Sequence, residues 1–236
     1  MSLPIFYIDK VPDDAGILEL NEENSRHVAQ VLRMQAGERI ALTNGRGLLL
    51  NCELTDNHKK KCRVNIRERT FTKRQSNKLV RIAISLLNHA GRFEWFLEKA
   101  TELGVSEIWP LICKRTGKTH LRKERMEQIL VSALLQSQQV WLPELKNPME
   151  FEKALAQSFQ YQKFIAHCLE DSKVFLGEAF DRSVNSTIIL IGPEGDFTKE
   201  EIELAVAHDF IPVSLGQNRL RSETAALVSA VLLTSG

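Results

Sequence analysis

Two short loops near the end of the chain carry residue types that suit ligand binding. Residues 191–197 read IGPEGDF, in which Gly192 and Gly195 allow a ligand to approach the backbone and Pro193 stiffens the turn. Residues 214–224 read SLGQNRLRSET, a dense set of arginines, a carboxylate and hydroxyls between two apolar segments. We expect a helix to begin after each loop, so that both loops present backbone amides at a positive helix end. Both are therefore candidate binding loops.

Each loop also has a purely structural interpretation. The first could be a tight turn without a ligand, and the second could combine a helix cap with a surface ion pair between Arg221 and Glu223. The first loop is not followed by Gly-Lys and a hydroxyl residue, as a Walker loop would be, and it is not a Gly-x-Gly-x-x-Gly fingerprint. The standard phosphate and dinucleotide motifs are thus absent from this loop.

The segments that must position these loops predict a layered α/β fold. Apolar residues recur at helical spacing from Phe93 to Leu103, and Gly104 follows as a C-terminal cap. Thr198 and Glu201 form a capping box for one further helix, and Ser222 is the expected cap of the last helix. Alternating strands and helices indicate an α/β architecture, and runs without clean alternation indicate strands buried on both faces of a parallel sheet. These runs are Val80–Leu87, Glu107–Ile112, Lys163–Leu169, Thr187–Ile191 and Ile211–Leu215.

The N-terminal third has a different, mainly β pattern. Ile40–Thr43 and Leu48–Leu54 flank an Asn-Gly turn, which predicts a hairpin. Lys59–Ile66 predicts a further strand with a basic approach, and the polar segment Thr70–Lys78 is typical of a linker. We therefore expect two domains, residues 1–73 and 74–236.

Composition narrows the class of protein. The 236 residues are 43% hydrophobic and 26% charged with a net charge of +1, which is ordinary for a globular protein, and the sequence predicts a cytoplasmic location without a membrane span. The four cysteines form no Cys-x-x-Cys pair, so neither a metal site nor a disulfide framework is expected. Basic residues crowd residues 114–125, where a phosphate-binding patch and a solvated surface are both consistent with the pattern.

Four segments together resemble one family. LIGPEGDFTKEEIELA and VSLGQNRLRSETAAL, with FLEKATELGVSEIWPLICKRT upstream and SRHVAQVLRMQAGERI near the N-terminus, are similar to the ribosomal small-subunit methyltransferase E family of the SPOUT, or α/β-knot, superfamily. The resemblance implies a PUA-like RNA-binding β-barrel followed by a knotted, mostly parallel sheet flanked by helices. It also implies a homodimer that binds S-adenosylmethionine and methylates N3 of one uridine in the 16S rRNA of the small ribosomal subunit.

The charged groups on the two loops lead to a hypothesis for the mechanism. We expect Arg221 to stabilise the uridine anion that develops during transfer, while Glu194 or Glu223 takes the proton. The resemblance in turn implies which residues lie at the cofactor. The residues expected to contact the cofactor are Leu190, Ile191, Gly192, Pro193, Glu194, Gly195, Leu215, Gly216, Leu220, Arg221, Thr224 and, more weakly, His167 with Cys168. The residues expected to face RNA are Arg26, Arg33 and Arg46 in the barrel, with Lys114, Arg115 and Arg122 from the basic segment.

The chain departs from the family pattern at several positions. Asp196 stands where the family usually has a third glycine, and His89 replaces a common lysine. Residues 133–139, which end at Gln139, lack a Glu and an Arg that the family often shows, so only Gln136 remains a candidate on that helix.

Two other functions are consistent with the loops. One is an RNA-binding or ribosome-assembly protein that keeps the fold without transfer activity. The other is an α/β enzyme that binds a nucleotide phosphate at residues 192–195, which the missing lysine disfavours.

Overall fold

The protein is described by a computed structural model that covers residues 3–12, 16–74, 78–158, 161–170 and 172–235. The chain divides into two compact units. The first contains residues 1–75 and 134–142, and the second contains residues 76–133 and 143–236.

The first unit is a five-stranded sheet over its own apolar core. Its strands are β1 (Ile5–Tyr7), β2 (Ile17–Glu19), β3 (Arg39–Thr43), β4 (Leu48–Asp56) and β5 (Arg63–Phe71), in the order β1-β3-β4-β5-β2. Only β1 and β3 run parallel. Between β2 and β3 lie α1 (Glu22–Arg26) and a π-helical turn (His27–Val31). Leu42 and Leu50 of the central strands are fully buried in the core.

The predicted hairpin is confirmed, because β3 and β4 pair antiparallel with Thr43 opposite Leu49. Gly47 in its turn has φ +88°, and a Cβ there would lie 2.5 Å from the Trp141 ring, so only glycine fits. The prediction of a strand at Lys59–Ile66 is wrong at its start, because β5 begins at Arg63. Lys61 closes a turn onto the His58 carbonyl, and pairing with β4 carries the strand on to Phe71. The linker predicted from Thr70 therefore begins inside β5, and residues 75–77 of it lie outside the described residues.

The second unit is a parallel sheet of eight strands with helices. Its strands are β6 (Leu79–Ser85), β7 (Glu107–Ile112), β8 (Glu144–Leu145), β9 (Met149–Glu150), β10 (Gln162–Ala166), β11 (Val174–Phe175), β12 (Ser186–Ile191) and β13 (Ile211–Ser214). The order is β11-β13-β10-β12-β6-β7-β8, with β9 also paired to β7. The helices are α2 (Ala90–Glu102), α3 (Lys123–Gln136), α4 (Phe151–Gln157), α5 (Leu176–Ala179), α6 (Lys199–Ala207) and α7 (Ser222–Thr234). Each of the five predicted apolar runs contains a strand, and the parallel pairing of these strands is confirmed. The run predicted at Lys163–Leu169 is too long, because β10 ends at Ala166.

The helix boundaries agree with the caps predicted from the sequence in two of three cases. Helix α2 ends at Glu102, and Gly104 has φ +75°, as expected for a glycine cap. The Thr198–Glu201 capping box is present. The cap predicted at Ser222 is wrong, since Arg221 is the N-cap of α7 and Ser222 is its first helical residue. Arg221 has extended backbone, and its carbonyl accepts the first helical hydrogen bond from Ala225 at 2.8 Å.

Within the described residues, no helix combines the length and apolar character needed to cross a bilayer.

The capping box yields a first stability prediction. The Thr198 hydroxyl accepts a hydrogen bond from the Glu201 backbone amide at 3.2 Å, and the Glu201 carboxylate accepts one from the Thr198 amide at 2.8 Å. Replacing Thr198 with alanine removes half of this pair, so we expect a loss of about 1 kcal/mol in the free energy of unfolding, measured by urea denaturation. Thr119→Ala, at an exposed position outside the helices, is the control and should change the free energy by less than about 0.5 kcal/mol. Equal losses in the two variants would contradict the prediction.

Candidate functional site

The strands that carry the two binding loops are close neighbours in the sheet. β13, β10 and β12 lie side by side and run parallel, so their carboxyl ends meet at one edge. Ligands of open α/β sheets bind at this kind of edge. Here the loops after the three strands enclose a cavity of about 680 Å³, which is within the range of small-molecule sites, roughly 300–1,000 Å³.

The first wall of the cavity is the glycine loop, residues 192–197. The Asp196 amide donates to the Pro193 carbonyl at 2.9 Å, which closes a tight turn. A Cβ on Gly192 would lie 3.1 Å from the Phe197 nitrogen, so the loop is packed too closely for a larger residue there without adjustment. The Phe197 ring is 1% exposed and lies 5.4 Å from the Phe151 ring, which anchors the loop in the core. The Phe197 ring therefore packs in the core and does not line the cavity.

The second wall is the arginine loop, residues 214–221. Gly216 has φ +131°, a backbone conformation that residues with a side chain rarely adopt. The loop ends at the start of α7, where Arg221 and its neighbours face the cavity. The second wall therefore contributes both main-chain atoms and a cation.

The third wall follows β10 and contains His167, Cys168 and Lys173. The Lys173 ammonium donates to the carbonyl of His167 at 2.8 Å and to that of Leu169 at 2.7 Å. The Cys168 amide donates to a carboxylate oxygen of Asp196 in the first wall at 2.8 Å. The third wall is thus held by charged side chains rather than by strand pairing.

Two glutamates proposed for proton transfer occupy different environments. Glu194 lines the cavity, and its carboxylate accepts a hydrogen bond from the Asn88 amide at 3.0 Å. Glu223 is 5% exposed and lies 3.7 Å from the Arg92 guanidinium. Its Oε2 atom is buried and has no hydrogen-bond partner among the residues that the structure describes. The ion pair that the structure forms is Arg92–Glu223 rather than the Arg221–Glu223 pair considered from sequence. Arg92 itself lines the cavity.

Most of the residues expected at the cofactor lie together. The expected residues that line the cavity are Ile191, Gly192, Pro193, Glu194, Leu215, Gly216, Leu220, Arg221 and His167. Leu190 instead lies fully buried in the core, and Thr224 lies half-buried on the first turn of α7. Gly195 faces away toward Arg115, whose side chain is 3.4 Å from a Cβ built there.

The residues expected to face RNA have varied surroundings. Arg115 donates to the Gly195 carbonyl at 2.7 Å, so it supports the glycine loop. The Lys114 amide donates to the Glu201 carboxylate at 2.8 Å, and its side chain is exposed. Arg122 is exposed in the second unit, and Arg26, Arg33 and Arg46 are exposed in the first.

Several residues of the site were not predicted from the sequence, among them three with charged side chains. Arg92 and Lys173 line the cavity but belong to segments outside the two loop motifs, and Asp196 was noted only as a departure from a glycine. A sequence signal existed for Asp196 alone, because a non-glycine residue at a glycine position implies a compensating contact.

The cysteines differ sharply in accessibility. Cys52, Cys62 and Cys113 are buried, whereas Cys168 is exposed at the cavity. Burial raises the pKa of the Cys113 thiol to about 12 and that of Cys52 to about 11, so both remain protonated at neutral pH. The part of the chain that the structure describes has no group of three or more His, Cys, Asp or Glu side chains that could hold a metal.

These thiols allow a direct test of cavity access. Iodoacetamide at pH 7.5 should label Cys168 and leave Cys113 unmodified in the folded chain, since only the thiolate reacts and a buried thiol is shielded. S-adenosylmethionine should slow labelling of Cys168 several-fold, as followed by peptide mass spectrometry. Labelling of Cys168 at the same rate with and without this compound would contradict its position in the binding cavity.

Comparisons with known proteins agree with this architecture. A family model described as an RNA methyltransferase domain matches residues 74–234, and one described as an RNA methyltransferase PUA domain matches residues 20–67. The chain is 29% identical over 227 residues to "Ribosomal RNA small subunit methyltransferase E" of Bacillus subtilis, covering 91% of this chain and 88% of that protein.

Solved structures are similar over nearly the full length. A probable rRNA-methyltransferase from Porphyromonas gingivalis has a TM-score of 0.90 and 31% identity, covering 97% of this chain and 95% of the other. A ribosomal RNA small subunit methyltransferase E from Neisseria gonorrhoeae, bound to S-adenosyl methionine, has a TM-score of 0.86 and 28% identity, covering 98% and 96%.

The parallel sheet, the cavity at its strand ends and the family model place the chain among the RNA methyltransferases with the SPOUT fold. More narrowly, the chain belongs to the ribosomal small-subunit methyltransferase E family.

Proposed function

We propose that the protein transfers a methyl group from S-adenosylmethionine to N3 of a specific uridine in the 16S rRNA of the small ribosomal subunit. The observation that carries this proposal is the single cavity formed by the glycine loop, the arginine loop and the end of β10. The Neisseria gonorrhoeae relative supports it, because that protein binds S-adenosyl methionine and shares the whole fold.

The cavity suits this cofactor in its chemistry. S-adenosylmethionine carries an apolar-faced base, hydroxyls, a carboxylate and a cationic centre, and the cavity offers main-chain atoms at Gly192 and Gly216 beside apolar Ile191, Leu215 and Leu220. The Arg92 and Lys173 side chains add positive charge for a carboxylate, and Arg221 lies at the same cavity. We assign cofactor binding to these residues, and to Leu190, Gly195 and Thr224 as backbone or supporting residues of the same loops.

The cofactor supplies an activated methyl group on sulfur. Methyl transfer of this kind is an in-line displacement, so the main task of the chain is to hold the uridine nitrogen opposite the methyl carbon. The uridine N3–H must also lose its proton. We propose that Arg221, the N-cap residue at the cavity, stabilises the negative charge that develops on the base.

The two glutamates are not equally placed to accept the proton. Glu194 lines the cavity, whereas Glu223 is buried against Arg92. Glu194 is therefore our first candidate for the proton acceptor, directly or through water. Glu223 fits better as the residue that orients Arg92.

RNA binding is assigned to residues 1–73 and to the basic segment of the second unit. Arg26, Arg33 and Arg46 are exposed cations of the kind that contact phosphates, and Lys114 and Arg122 offer further charge. Arg115 contributes indirectly, because its side chain donates a hydrogen bond to the Gly195 carbonyl of the glycine loop.

A uridine must leave its stack to reach the cavity, so the target is an unpaired or flipped base. We propose that the enzyme acts in the cytoplasm, where a ribosomal substrate would be found, and that it acts as a homodimer.

The decisive experiment maps modified uridines in 16S rRNA. We expect one N3-methyluridine in the parent strain to be missing in a strain that lacks the gene, and to return when the wild-type gene is restored. Restoration with an Arg221→Ala variant is the matched control and should leave the position unmethylated. An unchanged methylation map in the deletion strain would favour a non-catalytic role in ribosome assembly.

A further inference from the structure

Asp196 joins two walls of the cavity through its side chain. One carboxylate oxygen accepts the Cys168 amide of the third wall at 2.8 Å. The other accepts the amide of Phe197 in the glycine loop at 2.9 Å. A single carboxylate therefore connects the backbone after β12 to the backbone after β10.

The backbone at Asp196 would suit a glycine better. Its φ is +63°, in the left-handed region that residues with a side chain rarely adopt. A glycine there would have no carboxylate and could form neither link. The side-chain contacts are therefore what this residue adds at the position.

Asp209 provides an internal comparison. It has the same φ of +63°, but its side chain is 91% exposed and its partner is the Lys163 ammonium at 3.5 Å. A left-handed aspartate thus occurs elsewhere in the chain without joining two loops. The contacts of Asp196 are specific to the cavity.

The backbone that Asp196 holds is also held from the other side. Lys173 donates to the carbonyls of His167 and Leu169, which flank Cys168. The Cys168 amide between them donates its hydrogen bond to the Asp196 carboxylate. Loss of the carboxylate would leave the Cys168 amide without this acceptor, while Lys173 would still bind the carbonyls of His167 and Leu169.

We propose, on the basis of the cofactor-binding function above, that Asp196 is a positioning residue that acts through the Cys168 backbone. It fixes the third wall against the glycine loop and thereby sets the affinity for S-adenosylmethionine. It takes no part in proton transfer, so its loss should raise the KM for the cofactor and leave kcat at saturation nearly unchanged.

The test combines hydrogen exchange with calorimetry. Asp196→Asn has one carbonyl oxygen for two amide donors, and Asp196→Gly has none. We expect the Cys168 amide to exchange at least tenfold faster in the cofactor-free Asp196→Gly variant, measured by NMR. We expect the Kd for S-adenosylmethionine to rise about tenfold in Asp196→Gly and by a smaller factor in Asp196→Asn, as befits the loss of a hydrogen bond to a charged group.

Asp209→Gly is the matched control, because it relieves the same backbone conformation away from the cavity. Its Kd and its Cys168 exchange should equal those of the wild type. The melting temperature of Asp196→Gly should stay within a few degrees of that of Asp209→Gly, which separates positioning from general destabilisation.

Three results would overturn the proposal: unchanged exchange at Cys168, unchanged Kd despite faster exchange, or a fall in kcat at saturating cofactor with KM unaltered. A wild-type chain that fails to bind S-adenosylmethionine would instead overturn the proposed function, together with the role of Asp196 in affinity. The exchange rates would still show in that case whether Asp196 holds Cys168, so the two failures are distinguishable.

Discussion

Replacing Arg221 with alanine should lower kcat by about 100- to 1,000-fold while the Kd for S-adenosylmethionine changes only a few-fold. Arg221 is the N-cap of α7 and lines the cavity, where its cation would stabilise charge that appears only in the transition state. Removing one such group typically has an effect of this size on turnover. Methylation of small subunits from the deletion strain, with labelled cofactor at saturation, gives kcat, and calorimetry gives Kd.

Arg182→Ala is the control for this variant. Arg182 is exposed and lies outside the residues that line the cavity, so it tests whether loss of any surface arginine impairs RNA binding. Its kcat should equal that of the wild type. Full activity of Arg221→Ala would remove Arg221 from the mechanism, and a proportional loss of cofactor affinity would make it a binding residue instead.

Replacing Phe197 with alanine should lower the free energy of unfolding by about 3–5 kcal/mol. The ring is 1% exposed, packs on Phe151 and belongs to the same core as Leu190 and Ile202. Truncation would leave a cavity beneath the glycine loop, so cofactor affinity should fall as well. Urea denaturation measures the first effect and calorimetry the second.

Phe175→Ala is the comparison for Phe197. The Phe175 side chain is partly exposed, so its truncation should lower the free energy of unfolding by less than about 1 kcal/mol. Similar losses in the two variants would contradict the anchoring role of Phe197.

The sequence predicts the central sheet well because burial on both faces leaves a strong pattern. Strands such as β6 and β12 are nearly continuous apolar runs, and a capping box marks the start of α6. The two-residue strands β8, β9 and β11 could not be predicted, since two residues display no periodicity and pair only because tertiary contacts bring them to the sheet. The knot is implied by the family resemblance alone and stays a prediction.

The candidate site was predictable where its chemistry is local and unpredictable where it depends on packing. The two loop motifs contain most of the residues that line the cavity. The Arg92–Glu223 pair arises because α2 packs against α7, two helices about 130 residues apart in sequence. The contact of Asp196 with Cys168 likewise joins residues in the loops after two different strands, and no sequence spacing specifies it.

Isothermal titration calorimetry with S-adenosylmethionine tests the central claim most directly. We expect one binding site per chain for this compound, and no measurable heat for ATP under the same conditions. A flat titration with S-adenosylmethionine, or equal binding of ATP, would mean that the loops around Gly192 and Gly216 hold some other ligand or none.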